Sequence, residues 1–140
     1  MNASKKHFSP LSREDSPQLE SVYKSAEDFY GYLPDYFLSM SRLPHAVEAY
    51  TKFCTELYDE VTLPASLAHL VSLEASIVSG CTYSIAHAAK KASDVGVPEE
   101  KIVSMNNYQN SPLFDRKERA ALAFANKSAQ APSPLDKVDF

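Results

Sequence analysis

Residues 67–88 read LAHLVSLEASIVSGCTYSIAHA, and this stretch decides the fold. From Leu67 to Val78 the residues are apolar almost all round: Leu67, Leu70, Val71, Leu73, Ala75, Ile77 and Val78 leave no continuous polar face. A helix of that kind belongs in the middle of a bundle. Gly80 stops it, and Cys81 starts a further helix that runs to about Asp94, with Gly96 as terminator. The apolar-rich run from Leu63 to Val78 also holds His69, Glu74 and three serines, and is too short and too polar to span a bilayer.

Moving toward the N-terminus, Pro64 opens this central helix, with Thr62 or Leu63 near its cap. Pro44 opens the helix before it, for which Val47, Tyr50, Phe53, Cys54, Leu57 and Tyr58 predict a buried stripe. A short helix is expected over 34–40, closed before Leu43 and Pro44. The first helix starts at Ser16-Pro17, read as an N-cap and a proline at the first helical position. It shows one apolar face through Leu19, Val22, Tyr23, Ala26, Phe29 and Tyr30, and ends at Gly31.

Toward the C-terminus, Pro98-Glu99-Glu100 opens a short sixth helix. Asp115 with Glu118 three residues on forms a capping box. It leads a last helix through Ala120, Ala121, Leu122, Phe124 and Ala125 that ends before Pro132. The expectation is an all-α bundle of six to seven helices over residues 15–131, with tails at 1–14 and 132–140. Only 3 glycines and few β-branched runs agree with helices over sheet.

The 140 residues suffice for one domain. A net charge of −4 and scattered Lys and Arg argue against a nucleic-acid surface. The start MNASKKHFSPLS lacks the apolar core of a secretory leader. Two cysteines without such a leader fit a reducing, cytoplasmic compartment in which thiols stay free. No membrane partner, cofactor or metal is expected: Cys81 and His87 lack further ligands at zinc spacing, and the chain has neither a glycine-rich phosphate loop nor a Gly-x-Ser-x-Gly elbow.

Cys81 is the residue with chemical potential. At a helix start, unpaired N–H groups and the positive end of the dipole stabilise a thiolate, and such cysteines have lowered pKa values and react faster. The residue three positions on, sharing its helix face, is Ser84. A serine can hydrogen-bond a thiolate but cannot resolve an oxidised sulfur. The alternative reading of Cys81 is a small buried hydrophobe. His69 and Glu74, polar residues in an apolar helix, are either satisfied structural groups or parts of a proton relay. His87 lies about 120° round the helix from Cys81, and Ala88 sits almost directly above it. His87 is therefore poorly placed as a base for Cys81 within its own helix, but it can reach a neighbouring helix or subunit and counts with Cys81, Ser84 and His69 as a candidate catalytic residue. His7 and His45 receive no role.

The stretch 67–88, together with Phe8-Ser-Pro-Leu-Ser, Leu33-Pro-Asp-Tyr-Phe37 and Ser111-Pro-Leu-Phe-Asp-Arg-Lys-Glu-Arg-Ala-Ala-Leu-Ala-Phe-Ala125, resembles the carboxymuconolactone decarboxylase and AhpD-type alkylhydroperoxidase family. The resemblance runs over roughly residues 7 to 130 and implies an AhpD-like helical bundle. Redox members of that family carry a Glu in the first helix of the pair, a Cys-x-x-Cys at the start of the second, and a His four residues later. On these positions the chain has His69, Cys81, Ser84 and Ala88, with His87 displaced by one.

The resemblance implies a one-cysteine thiol peroxidase or oxidoreductase with an antioxidant role, acting on a small peroxide or thiol substrate. Cys81 would be the nucleophile, Ser84 its partner, and His69 the proton acceptor across the helix pair. An external thiol would be the reductant, with Cys54, on the preceding helix, as the alternative, a distant resolving thiol. Two alternatives stand beside it. One is a non-redox decarboxylase-like enzyme in which His69 or Glu74 moves a proton. The other is a degenerate member kept for binding or assembly. The family also implies a homo-oligomer, a trimer or hexamer.

Overall fold

The structure, a computed structural model, describes residues 9–60 and 62–139, without the side chains of 58–60. His7, Phe8, Val61 and the side chain of Tyr58 lie outside the described residues. Among those described, seven α-helices and three short 3-10 turns form, and no strand. The chain divides into two compact units, one within residues 1–61 and one within 62–140.

In the first unit, a 3-10 turn over Pro17–Leu19 runs into α1 (Glu20–Tyr30). Ser16 is not the side-chain cap its sequence suggests. Its hydroxyl is turned inward and donates to the Ser41 carbonyl at 3.5 Å. Gly31 ends α1 at φ 78°, a left-handed conformation that only a residue without Cβ adopts freely. Helix α2 (Asp35–Met40) and α3 (Pro44–Glu60) follow. Leu19, Tyr23, Ala26, Phe37 and Val47 form the core.

Residues 9–15 are held to this unit. The Leu11 amide donates to the Leu38 carbonyl, and the Arg42 guanidinium to the Ser9 carbonyl. Arg13 pairs with Glu20 at 2.8 Å and with Glu27 at 2.7 Å.

The expected buried stripe of α3 is only partly formed. Val47 is buried and Thr51 and Cys54 are half-buried, whereas Tyr50, Phe53 and Leu57 are exposed. At 100° per residue Phe53 lies about 120° round the helix from Val47. The apolar positions thus cover two sub-faces, of which one meets the core.

In the second unit, α4 (Ala65–Val78) packs against both α5 (Thr82–Asp94) and α7 (Arg116–Ala129). This is the central position that its all-round hydrophobicity predicts. The α4 end is a Schellman turn: the Gly80 amide donates to the Ile77 carbonyl and the Cys81 amide to the Ser76 carbonyl. Gly80 takes φ 66°. A short α6 (Glu99–Val103) and a 3-10 turn over Ser104–Asn107 lead to α7, whose capping box closes as predicted. The Glu118 amide donates to Asp115 at 2.8 Å and the Asp115 amide to Glu118 at 2.9 Å. Leu70, Leu73, Ala92, Val97, Met105, Tyr108, Phe114 and Leu122 make the core. Among the described residues no helix is long and apolar enough to cross a membrane.

Candidate functional site

The α4–α5 turn presents Cys81 at the N-cap of α5, with extended backbone at φ −85° and ψ 95°. The side chain is exposed and the thiol free. The Ser84 hydroxyl donates to Cys81 Sγ at 3.2 Å. No regular side-chain cap bond forms, yet the sulfur lies in front of the first amides of the helix. The thiol is held below its ordinary pKa by the Ser84 hydroxyl first, then by the amides of Ser84 and Tyr83. A hydroxyl and two amides thus favour the anion, as expected where a helix begins. The reading of Cys81 as a buried hydrophobe does not hold.

His69 lies in the second turn of α4, and Cys81 caps the start of α5. With the turn centred on Gly80, a position eleven residues before it comes level with one eleven after, which is Lys91. In agreement, His69 feels Lys91 and Asp94. The nine residues from His69 to Val78 span about 14 Å at 1.5 Å each. His69 is buried, and burial pushes its imidazole below the ordinary value, with Lys91 adding to the shift and Asp94 opposing it.

A relay between His69 and Cys81 would need a link near position 88. Ala88 supplies none and packs against the core. His87 is half-buried with its ring against Tyr83, centroids 4.3 Å apart, and burial lowers its pKa as well. Of the four predicted site residues, Cys81 and Ser84 are joined by a hydrogen bond, His69 is buried on α4, and His87 packs its ring against Tyr83 on α5. Cys54 lies in the first unit, half-buried beside a cavity of about 220 Å³ that Phe29, Tyr36, Phe37 and Tyr50 also line.

Sequence reasoning missed two features. Tyr83 contributes its amide to the sulfur and its ring to His87. Glu74, read as either structural or part of a relay, is bonded by Asn126 at 2.7 Å beside a polar pocket formed with residues 105–110. The run Asn106-Asn-Tyr-Gln-Asn110 was the available signal, being amide-rich without being charged.

A search of the curated proteins finds no match. Among solved structures, the chain is similar to the debrominase Bmp8 in its apo form, at 30% identity and a TM-score of 0.88 over 99% of this chain and 74% of that one. It is equally similar, at 29% identity and a TM-score of 0.88 with the same coverage, to a cysteine-to-alanine variant of Bmp8 in complex with 2,3,4-tribromopyrrole. The family model described as "Carboxymuconolactone decarboxylase family" matches residues 44–127, a span that includes Cys81, Ser84 and the whole α4–α5 pair. That span is more than half of the chain, so the chain belongs to the carboxymuconolactone decarboxylase family.

Proposed function

We propose that this chain is a single-cysteine, thiol-dependent oxidoreductase in which the Cys81 thiolate takes an electrophilic atom from a small substrate. The observation that carries this reading is the exposed Cys81 sulfur, bonded by Ser84 and fronted by the α5 amides. Ser84 stabilises the anion, and the reduced protein is restored by an outside thiol because position 84 offers no second sulfur.

Two electrophiles fit the chemistry. With a peroxide, the sulfur attacks one oxygen and the O–O bond breaks. The alcohol leaves with a proton from solvent, and Cys81 becomes a sulfenic acid. With a brominated aromatic ring, the sulfur attacks bromine and the C–Br bond breaks. The ring carbon takes a proton, and Cys81 becomes a sulfenyl bromide. In both cases one external thiol displaces water or bromide to give a mixed disulfide, and a second releases Cys81 as the external disulfide forms. The likeness to a debrominase over nearly the whole chain favours the bromoarene. The peroxide arm fits the redox branch of the family. A reducing compartment such as the cytoplasm supplies the thiols in either case.

The test measures bromide release from a polybrominated pyrrole and consumption of an organic peroxide, each with a small thiol reductant. The expected result is turnover of at least one substrate that Cys81→Ala abolishes. Equal turnover by Cys81→Ala would remove the proposal and leave the non-redox reading, with His69 moving a proton beside Lys91.

A further inference from the structure

Glu74 is 3% exposed, on the central helix of the second unit. Its Oε1 accepts a hydrogen bond from Asn126 Nδ2 at 2.7 Å, and it has no ion pair with any described residue. Buried carboxylates are ordinarily paired with a cation or held by several donors. Here one donor serves one oxygen. Among the described residues no fully buried side-chain oxygen lacks a partner, so Oε2, which takes no hydrogen bond, has open space beside it.

That space is the pocket of about 280 Å³ that Glu74 and Asn126 both line. The segment Met105–Asn110 also lines it, and four of its six residues, Asn106, Asn107, Gln109 and Asn110, carry primary amides. No Lys or Arg is among its lining residues, and neither Cys81 nor Ser84 reaches it. Primary amides offer carbonyl oxygens to a donor as readily as N–H groups to an acceptor. The Asn107 carbonyl, which accepts from Asn110 at 3.2 Å, retains a second lone pair. Ile77, Val78 and Met105 supply an apolar wall.

We propose that this pocket binds a small organic cation, an alkylammonium, with its charge on Glu74 Oε2, its remaining N–H groups on the lining amides, and its short alkyl chain against Ile77 and Val78. An ammonium brings three donors and no acceptor, which matches one carboxylate oxygen without a donor in a pocket that amide residues also line. Among the described residues no group of three His, Cys, Asp or Glu gathers to hold a metal ion. One carboxylate offers a single negative charge, which matches a monovalent organic cation better than a divalent ion. The volume lies at the lower edge of the range for small-molecule sites, so the ligand is a few heavy atoms long.

The test titrates n-butylammonium chloride into the whole chain and follows side-chain amide resonances by NMR, with n-butanol as the neutral isostere. Saturable shifts of the Asn106, Asn107, Asn110 and Asn126 amides are expected with the ammonium and not with the alcohol. Glu74→Gln keeps the shape and the acceptor for Asn126, and should weaken binding at least ten-fold. Asn110→Ala, at an exposed lining residue, is a second variant that leaves the core untouched and should weaken binding by a smaller factor. Absence of saturable binding, equal response to n-butanol, or undiminished affinity in folded Glu74→Gln would overturn the proposal. So would self-association of the chain that Glu74→Gln abolishes while n-butylammonium fails to bind, because the occupant would then be a second copy.

Discussion

Ser84 sits one helical turn from Cys81 and donates its hydroxyl to the sulfur, the largest influence holding that thiol below its ordinary pKa. A depressed pKa extends the anion to lower pH than an ordinary thiol allows, and reactivity falls as pH drops through the lowered value. Ser84→Ala removes the hydroxyl but leaves the amides of residues 83 and 84. The rate of Cys81 alkylation against pH should therefore shift its midpoint upward, with a several-fold loss of rate at neutral pH and little change well above the midpoint. Cys54, on another helix, provides the internal reference, since its alkylation should be indifferent to the substitution. An unchanged Cys81 profile in Ser84→Ala would assign the shift to the helix amides alone. The residue types at 81 and 84 and their spacing were readable in the sequence. The surroundings of His69 were not, because a position's role in a family does not fix which charges it meets. A turn centred on Gly80 sets His69 level with Lys91.

Each helix end in the second unit rests on a local device, and these ends were the most legible part of the chain. Gly80, Pro98 and the Asp115–Glu118 box each act through hydrogen bonds closed within a few residues, to backbone carbonyls at the first two and to side-chain carboxylates in the box, so sequence alone locates them. The same locality makes Gly80 a clean probe. An added Cβ would meet nothing within 4 Å, so Gly80→Ala costs only the left-handed backbone at φ 66°. That cost is roughly 1–2 kcal/mol for a residue other than glycine. The urea midpoint should fall by a corresponding amount with the slope unchanged. The pH profile of Cys81 alkylation should stay in place in the folded variant, because its causes lie in α5. A loss well above this range would mean that the turn holds more than the helix end. Faces were less legible than ends. Periodicity marks residues of α3 fit for burial, but only a packed neighbour decides which of them are buried. Val47 met one within its unit, and Phe53 did not.

For the molecule as a whole, the unburied side of α3 is the clearest pointer to assembly. Phe53 is 60% exposed and Leu57 51%, with Tyr50 one turn before Phe53 on the same side of the helix. Large apolar side chains grouped on one face of a helix mark an association surface more often than isolated ones do. Burying Phe53 and Leu57 in a self-complementary contact would contribute roughly 1.5–3 kcal/mol each. The chain should accordingly run as a homo-oligomer by light scattering at micromolar concentration. Phe53→Asp places a charge where that face would close and forfeits the phenyl group. At about 1.4 kcal/mol per factor of ten, the dissociation constant should rise by at least ten-fold. Helix content should not change, since Phe53 does not contribute to the buried core of its unit. A chain that is monomeric at every concentration, or an oligomer indifferent to Phe53→Asp, would place the contact elsewhere and leave the exposed face of α3 without a partner of its own kind.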